Sequence, residues 1–295
     1  MNTHRGMALI TVMGILTLMA TVTLNMLRDS TAARQLAQGQ RFKHQAKWTL
    51  DGAEHIILNG TTSPLPGNEQ SLRLEEHEVR YRWHDRNTCF NLNALVVPAA
   101  DSSASAPGLT AAQRVFAALL QNYGMNSAQS ALLTQAISAR LFAQSATRPL
   151  PVLDTPSQLR HFGLIPSALW PLLAQQLCVL PSTTLSLNLN ALTTATAPLF
   201  RALLLGLLDD AEVARIIAQR PAQGWHSREA FLQALPRPLP ALSSHLQSVT
   251  RFDSREWELE LWMRSASAFA VQRTRLIQRD RAFEIRYRLY GLTGE

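Results

Sequence analysis

Residues 5–28 read RGMALITVMGILTLMATVTLNMLR: Arg5 and Gly6 abut an uncharged run from Met7 to Leu27, and charge resumes at Arg28-Asp29. At about 1.5 Å per helical residue, that run reaches about 31 Å, enough to cross the hydrocarbon core of a bilayer. It is a membrane-insertion signal. A cleavable secretory signal has a shorter apolar core ending in a small-x-small site, whereas this run ends Thr23-Leu24-Asn25-Met26-Leu27. The apolar helix is therefore expected to stay on the chain. Arg34, Arg41, Lys43 and Lys47 follow the span while Arg5 and the amino terminus precede it, so local charge opposes an N-in topology. Long domains translocate largely regardless of that bias.

Working outward, no proline occurs from Arg28 to Leu58, and Leu36, Phe42, Ala46, Leu50, Ala53 and Ile57 recur at three- and four-residue steps. The spacing predicts that the helix continues beyond the membrane, until Asn59-Gly60 stops it ahead of Pro64 and Pro66. Between Leu72 and Leu95 the pattern turns to alternation, with Val79, Tyr81 and Trp83 against Arg80, Arg82 and His84, which predicts a half-buried strand. A Pro-Ala-Ser-rich passage, Pro98 to Gly108, leads into a stretch with helical habits: Gln113 to Gln121, Ser127 to Phe142 and Ser167 to Leu177. After Phe252 alternation returns in three runs: Trp257, Leu259 and Leu261; Phe269 and Val271; then Phe283, Ile285, Tyr287 and Leu289. These predict an antiparallel meander. The fold class is thus α+β: a long N-terminal helix and an antiparallel sheet, interrupted by an inserted all-helical domain.

The 295 residues, 46% hydrophobic and 17% charged, suit one or two domains with a proper core. The net charge of +7 permits nucleic acid, anionic lipid or an acidic protein as partner and selects none of them. Two cysteines, Cys89 and Cys178, are too few for a four-cysteine zinc site. They are compatible with one disulfide in an oxidising compartment or with two separately buried thiols.

Three segments, in this order, carry a family resemblance. Arg5-Gly6-Met7-Ala8-Leu9-Ile10-Thr11-Val12 resembles a type IV prepilin leader; Gln45 to Glu54 lies on the helix; and Asp85 to Leu95 reads DRNTCFNLNAL. With the helical insert, this layout is similar to the protein K family of minor pseudopilins in type II secretion systems. The resemblance implies a leader at 1–6, a transmembrane and periplasmic helix at 7–60, a first part of the pilin sheet at 61–97, the inserted helical domain at 98–247 and the rest of the sheet at 248–295. It implies that a prepilin peptidase cuts between Gly6 and Met7 and methylates Met7. Thr11 stands at the fifth mature position, where most pilins carry a glutamate that meets the neighbouring subunit in the membrane. Further implications are a single pass in the bacterial inner membrane with the head in the periplasm, and a place at the pseudopilus tip, where the chain helps to initiate assembly for protein export. The implied partners are the minor pseudopilins I and J and the major pseudopilin. Members of the family can carry calcium in the helical domain; here the comparable passage from Ala136 to Pro149 lacks acids and Asp154 stands alone, so no cofactor is expected.

The remaining constellations have bland readings. Asn91-Leu92-Asn93-Ala94-Leu95 recurs as Asn188-Leu189-Asn190-Ala191-Leu192, consistent with asparagines capping a following turn. Asn188 to Ala234 resembles a helix-hairpin-helix module, which makes a membrane-anchored DNA-binding protein the alternative function. Its hairpin, Leu205 to Asp210, presents the carboxylates of Asp209 and Asp210, which repel phosphate, so no nucleic acid is expected; Asp209, Asp210 and Ser227 are read as helix caps. Glu75, Glu76, His77, Glu78 and His84 are expected to divide between two faces of a solvated strand, with no metal site. Arg273, Arg275, Arg279, Arg281, Arg286 and Arg288 read as a solvated sheet face, with a surface for an acidic partner as the second reading. No nucleophile elbow, zincin, Walker or dinucleotide motif occurs, so no enzyme activity is expected.

Overall fold

The structure is a computed structural model that describes residues 3–96, 108–145, 152–264, 269–280 and 282–291, with the side chains of residues 3–11, 32 and 35 left aside. The Pro-Ala-Ser passage, Arg148, Pro149 and Arg281 lie outside the described residues. In chain order the elements are α1 (Thr3–Gly60), β1 (Glu69–Leu74), β2 (His77–Asp85), β3 (Phe90–Asn91), α2 (Ala111–Asn122), α3 (Ser127–Ser145), α4 (Trp170–Ala174), β4 (Leu177–Cys178) and β5 (Leu187–Asn188). There follow α5 (Ala197–Leu203), α6 (Asp210–Ala218), α7 (Arg228–Gln233), α8 (Ala241–Val249), β6 (Thr250–Arg251), β7 (Glu256–Arg264), β8 (Phe269–Arg279) and β9 (Ala282–Gly291). The main sheet has the order β1-β2-β7-β8-β9. The fold is α+β, with a long N-terminal helix, an antiparallel sheet and further helices between the sheet's two halves.

By compactness the chain divides into two units: Met1–Arg82 with Leu259–Thr274 and Tyr287–Glu295, and Trp83–Glu258 with Arg275–Arg286. In the first, α1 buries Ala46, Leu50, Ala53 and Ile57, a stripe at helical spacing, and the strands bury Val79, Leu259, Leu261 and Met263. Leu36, expected on the same stripe, is exposed; the buried face begins only at Ala46. β1 pairs antiparallel with β2, Glu69 opposite Arg82 and Leu74 opposite His77. Glu75 and Glu76, expected on a strand face, are instead the two-residue turn of this hairpin, with Glu75 at φ 52°. Neither is a favoured turn residue, which hid the hairpin from the sequence.

The second unit is organised around one apolar core that includes Phe90, Phe116, Leu119, Leu189, Phe200, Leu203, Trp225, Phe231 and Leu246. At the sheet end of the unit, Trp83 packs against Trp257 and Phe283, with ring centroids 6.1 and 5.3 Å away. Cys89 and Cys178 are disulfide-bonded, with Cα atoms 5.7 Å apart, beside the parallel pairing of β3 and β4. Their sequence separation of 89 makes the closed loop long enough to constrain the denatured chain by about 4–5 kcal/mol in the loop-entropy picture.

The two Asn-Leu-Asn-Ala-Leu copies build matching joints. In each, the first asparagine caps its own turn: Asn91 Oδ1 accepts from Asn93 N at 3.2 Å, and Asn188 Oδ1 from Asn190 N at 2.9 Å. Each also lies in a short parallel bridge, β3 with β4 and β5 with β6. Both asparagines also do what turn capping does not predict: Asn91 accepts from Leu180 N and donates to the Ser182 carbonyl, Asn188 donates to Ser254 Oγ, and the second asparagine of each copy grips a distant backbone. Asn93 accepts from Leu153 N and donates to the Leu153 and Leu180 carbonyls; Asn190 accepts from Trp225 N and donates to the Trp225 and Phe252 carbonyls. A primary amide presents one acceptor beside one donor, as a peptide unit does, so these side chains replace a missing ladder strand. Gly224 sits against the second joint at φ 75°, where a Cβ would lie 2.6 Å from the Asn190 amide carbon.

Two predictions follow from this packing. Gly224→Ala meets both the clash and the positive φ, and Asn190→Ala leaves the Trp225 amide unpaired; each is expected to lower unfolding free energy by about 2–4 kcal/mol in denaturant titration. His245 on α8 is buried, with Nε2 3.2 Å from the Leu203 carbonyl and Nδ1 3.5 Å from Arg114. Burial, with the Arg114 charge second, holds its pKa below the usual histidine value of 6.5. The unfolded chain therefore binds a proton first, so stability should fall as pH drops below about 6.5, more shallowly in His245→Gln.

Candidate functional site

α1 runs unbroken from Thr3 to Gly60, and among the described residues it is the one helix long and apolar enough to span a membrane. Val12, Met13, Ile15, Leu16, Leu18, Met19, Val22, Leu24, Met26 and Leu27 are all exposed, with none of the described residues covering them. The threonines among them are internally satisfied: Thr17 Oγ1 donates to the Met13 carbonyl at 2.9 Å, Thr21 to Leu18 at 2.8 Å and Thr23 to Met19 at 2.8 Å. Back-bonding of this kind lets a hydroxyl enter an apolar medium without an unpaired donor. Gly6, Met7 and Thr11 lie in the helical span of α1, and their side chains fall outside the description.

The seat of α1 in its own unit is built around a buried acid. Glu54 is 1% exposed. Its carboxylate accepts from Gln272 Nε2 at 2.5 Å, from the Thr274 hydroxyl, and from Arg288, whose Nη2 and Nε reach Oε1 at 2.6 and 2.9 Å. Gln272 and Thr274, fully buried on β8, thus face the carboxylate, while Phe269 and Val271, which the alternation marked as apolar sheet residues, are half-buried. One turn before Glu54, Asp51 accepts from the Tyr290 hydroxyl at 2.5 Å, and Lys47 lies 5.2 Å from the Tyr290 ring centroid. Burial, then the Asp51 bond, pushes the Tyr290 pKa up to about 12. The bond from Glu54 raises the pKa of Arg288.

Of the C-terminal arginines, Arg279, Arg286 and Arg288 are exposed while Arg273 and Arg275 are half-buried, and all five are ion-paired. Arg273 meets Glu260 at 2.9 Å, Arg275 meets Glu258 at 2.5 Å, and Arg279 and Arg286 both meet Glu284. Apart from Arg286–Glu284, which lies within β9, these pairs join neighbouring strands across the sheet. Glu54 was missed because its partners lie far along the chain. The available signal was an acid four residues after Leu50 on an otherwise apolar stripe.

In the hairpin region, Asp209 caps α6 reciprocally with Glu212 and Ser227 caps α7, as expected of them, and Asp210 opens α6 paired to Arg201. Leu205 and Gly206, both at positive φ, form the turn. Among the described residues no group of three His, Cys, Asp or Glu could hold a metal ion.

Replacing Glu54 by Ala is expected to cost about 3–5 kcal/mol in the unfolding free energy of the full chain in detergent, since it leaves Gln272 and Thr274 buried without their acceptor. Arg288→Ala, which strands the buried carboxylate, should also cost about 3–5 kcal/mol, whereas Arg286→Ala, which breaks an exposed pair, should cost less than about 1 kcal/mol.

Comparison with known proteins matches this architecture. A family model described as type II secretion system (T2SS), protein K, matches residues 187–247, the segment that carries the second asparagine joint and the hairpin. A protein of Escherichia coli (strain K12) assigned to type II secretion system protein K is 32% identical over 262 residues, spanning 78% of this chain and 79% of the relative. Type II secretion system protein K of Pectobacterium carotovorum subsp. carotovorum is 27% identical, spanning 98% of this chain and 97% of the relative. One chain in the crystal structure of the GspK-GspI-GspJ complex from the enterotoxigenic Escherichia coli type 2 secretion system shares the fold, with a TM-score of 0.68, 18% identity, and coverage of 87% of this chain and 99% of that one. At 32% identity over most of both chains, this chain belongs to the protein K family of type II secretion systems.

Proposed function

We propose that this chain is the minor pseudopilin at the tip of a type II secretion pseudopilus, where it helps to initiate assembly for export across the outer membrane. The observation that carries the reading is the fold agreement with a chain of the GspK-GspI-GspJ complex over nearly the whole of that chain. The partners proposed from it are minor pseudopilins I and J, contacted through α1, with the major pseudopilin below. α1 holds the protein in the inner membrane by a single pass, and the head stands in the periplasm. The protein works by assembly and not by turnover.

Two features of the chain support the terminal position. A carboxylate in the membrane needs a partner, and a subunit with no neighbour above has none to offer; Thr11 avoids that unpaired charge. A helical insert of this size would collide with its copies if repeated along a packed filament, and one copy at an end avoids this. DNA binding gains nothing from the hairpin, whose Asp209 and Asp210 are carboxylates at the position where phosphate would sit.

Maturation provides the test. Made beside a prepilin peptidase, the chain is expected to yield an intact mass starting at N-methylated Met7, and Gly6→Asp is expected to stay unprocessed. A Gly6→Asp chain matured as efficiently as the parent would overturn the pilin reading.

A further inference from the structure

The part of α1 beyond the apolar run carries two residues that nothing among the described residues explains. Trp48 is 73% exposed, the most exposed of the large apolar side chains in the described chain. Gly52, one turn on, is exposed in the interior of a helix, where glycine weakens the helix relative to alanine. A Cβ at Gly52 would meet no atom within 4 Å, so no close approach inside the chain requires a glycine there. Ile56, one further turn on, is 48% exposed.

Trp48, Gly52 and Ile56 form one i, i+4, i+8 row, the ridge by which helices interlock. With glycine at its centre, the row is a notch between two apolar walls. A notch of this shape admits the crossing ridge of another helix and brings the two backbones close. Lipid is not the occupant: at about 1.5 Å per residue Trp48 stands about 30 Å along the helix from Leu27, where the apolar run ends. Charge narrows the choice further. Both carboxylates in Arg41–Gly60 are engaged internally, Glu54 by Arg288 and Asp51 by Tyr290, while the exposed surface there includes Arg41, beside the row, and Lys43.

We infer that the Trp48–Gly52–Ile56 notch is the docking site for an α-helix of a neighbouring pseudopilin, one that lays an apolar ridge across Gly52 and presents a carboxylate to Arg41. This rests on the assembly role proposed above and assigns the face of α1 that serves it.

The test uses the full chain in detergent, co-expressed with minor pseudopilins I and J, and reads both the amount of partner recovered and the melting temperature. Gly52→Leu and Trp48→Ala are each expected to reduce recovered partner at least tenfold. Gly52→Ala should melt higher than the parent when alone, because it fills open space on a helix, yet recover less partner. Leu132→Ala, at an exposed apolar position on α3, should recover partner as the parent does. Undiminished recovery with Gly52→Leu overturns the docking site while leaving the assembly role standing. A parent chain that brings down neither pseudopilin ends the assembly role, and the docking site with it.

Discussion

The buried carboxylate of Glu54 is the constraint from which the seat of the long helix follows. An acid at 1% exposure is tolerable only if its oxygens are fully engaged, and here Gln272, Thr274 and Arg288 engage them. Apolar contacts along Ala46, Leu50, Ala53 and Ile57 would tolerate sliding or rotation of α1 by small amounts. A forked, hydrogen-bonded charge does not, because any shift strands either the carboxylate or the guanidinium. The Asp51–Tyr290 bond, one turn earlier, fixes the rotation a second time.

The helical unit meets a different difficulty. Much of its backbone runs in short, irregular segments, with two-residue parallel bridges in place of extended ladders. Buried peptide groups in such segments still require partners. Asn93 and Asn190 provide them, each serving a distant segment through both faces of its amide. The repeated pentapeptide is thus a reusable joint, in which the first asparagine turns the chain and both asparagines hold distant parts of it.

What the sequence made legible was whatever depends on local order. The apolar run, the stop at Asn59-Gly60, the alternation in β2 and β7, and the caps at Asp209 and Ser227 each follow from neighbours within a few residues, whereas Tyr287 and Leu289, expected on an apolar face of β9, are exposed. What escaped depends on distance along the chain. The Glu54 cluster, the reach of Asn93 and Asn190, and the arginine–glutamate pairs join residues whose proximity only the fold creates. The β1–β2 turn escaped for another reason: Glu75 adopts a left-handed conformation without the glycine or asparagine that announces one. In the candidate membrane segment the chemistry was readable at once, since a bilayer imposes its length requirement on the sequence directly.

The strand order β1-β2-β7-β8-β9 has a temporal meaning. β2 takes its second neighbour from a strand that the chain delivers only after the whole helical insert, and Glu54 waits for Gln272, Thr274 and finally Arg288. Pairing of such high contact order is slow, because loop closure must precede its reward. Until the last two strands arrive, Glu54 on α1 lacks the partners that β8 and then β9 bring to it. A chain lacking β9 would leave the buried Glu54 carboxylate without the Arg288 guanidinium, an uncompensated charge.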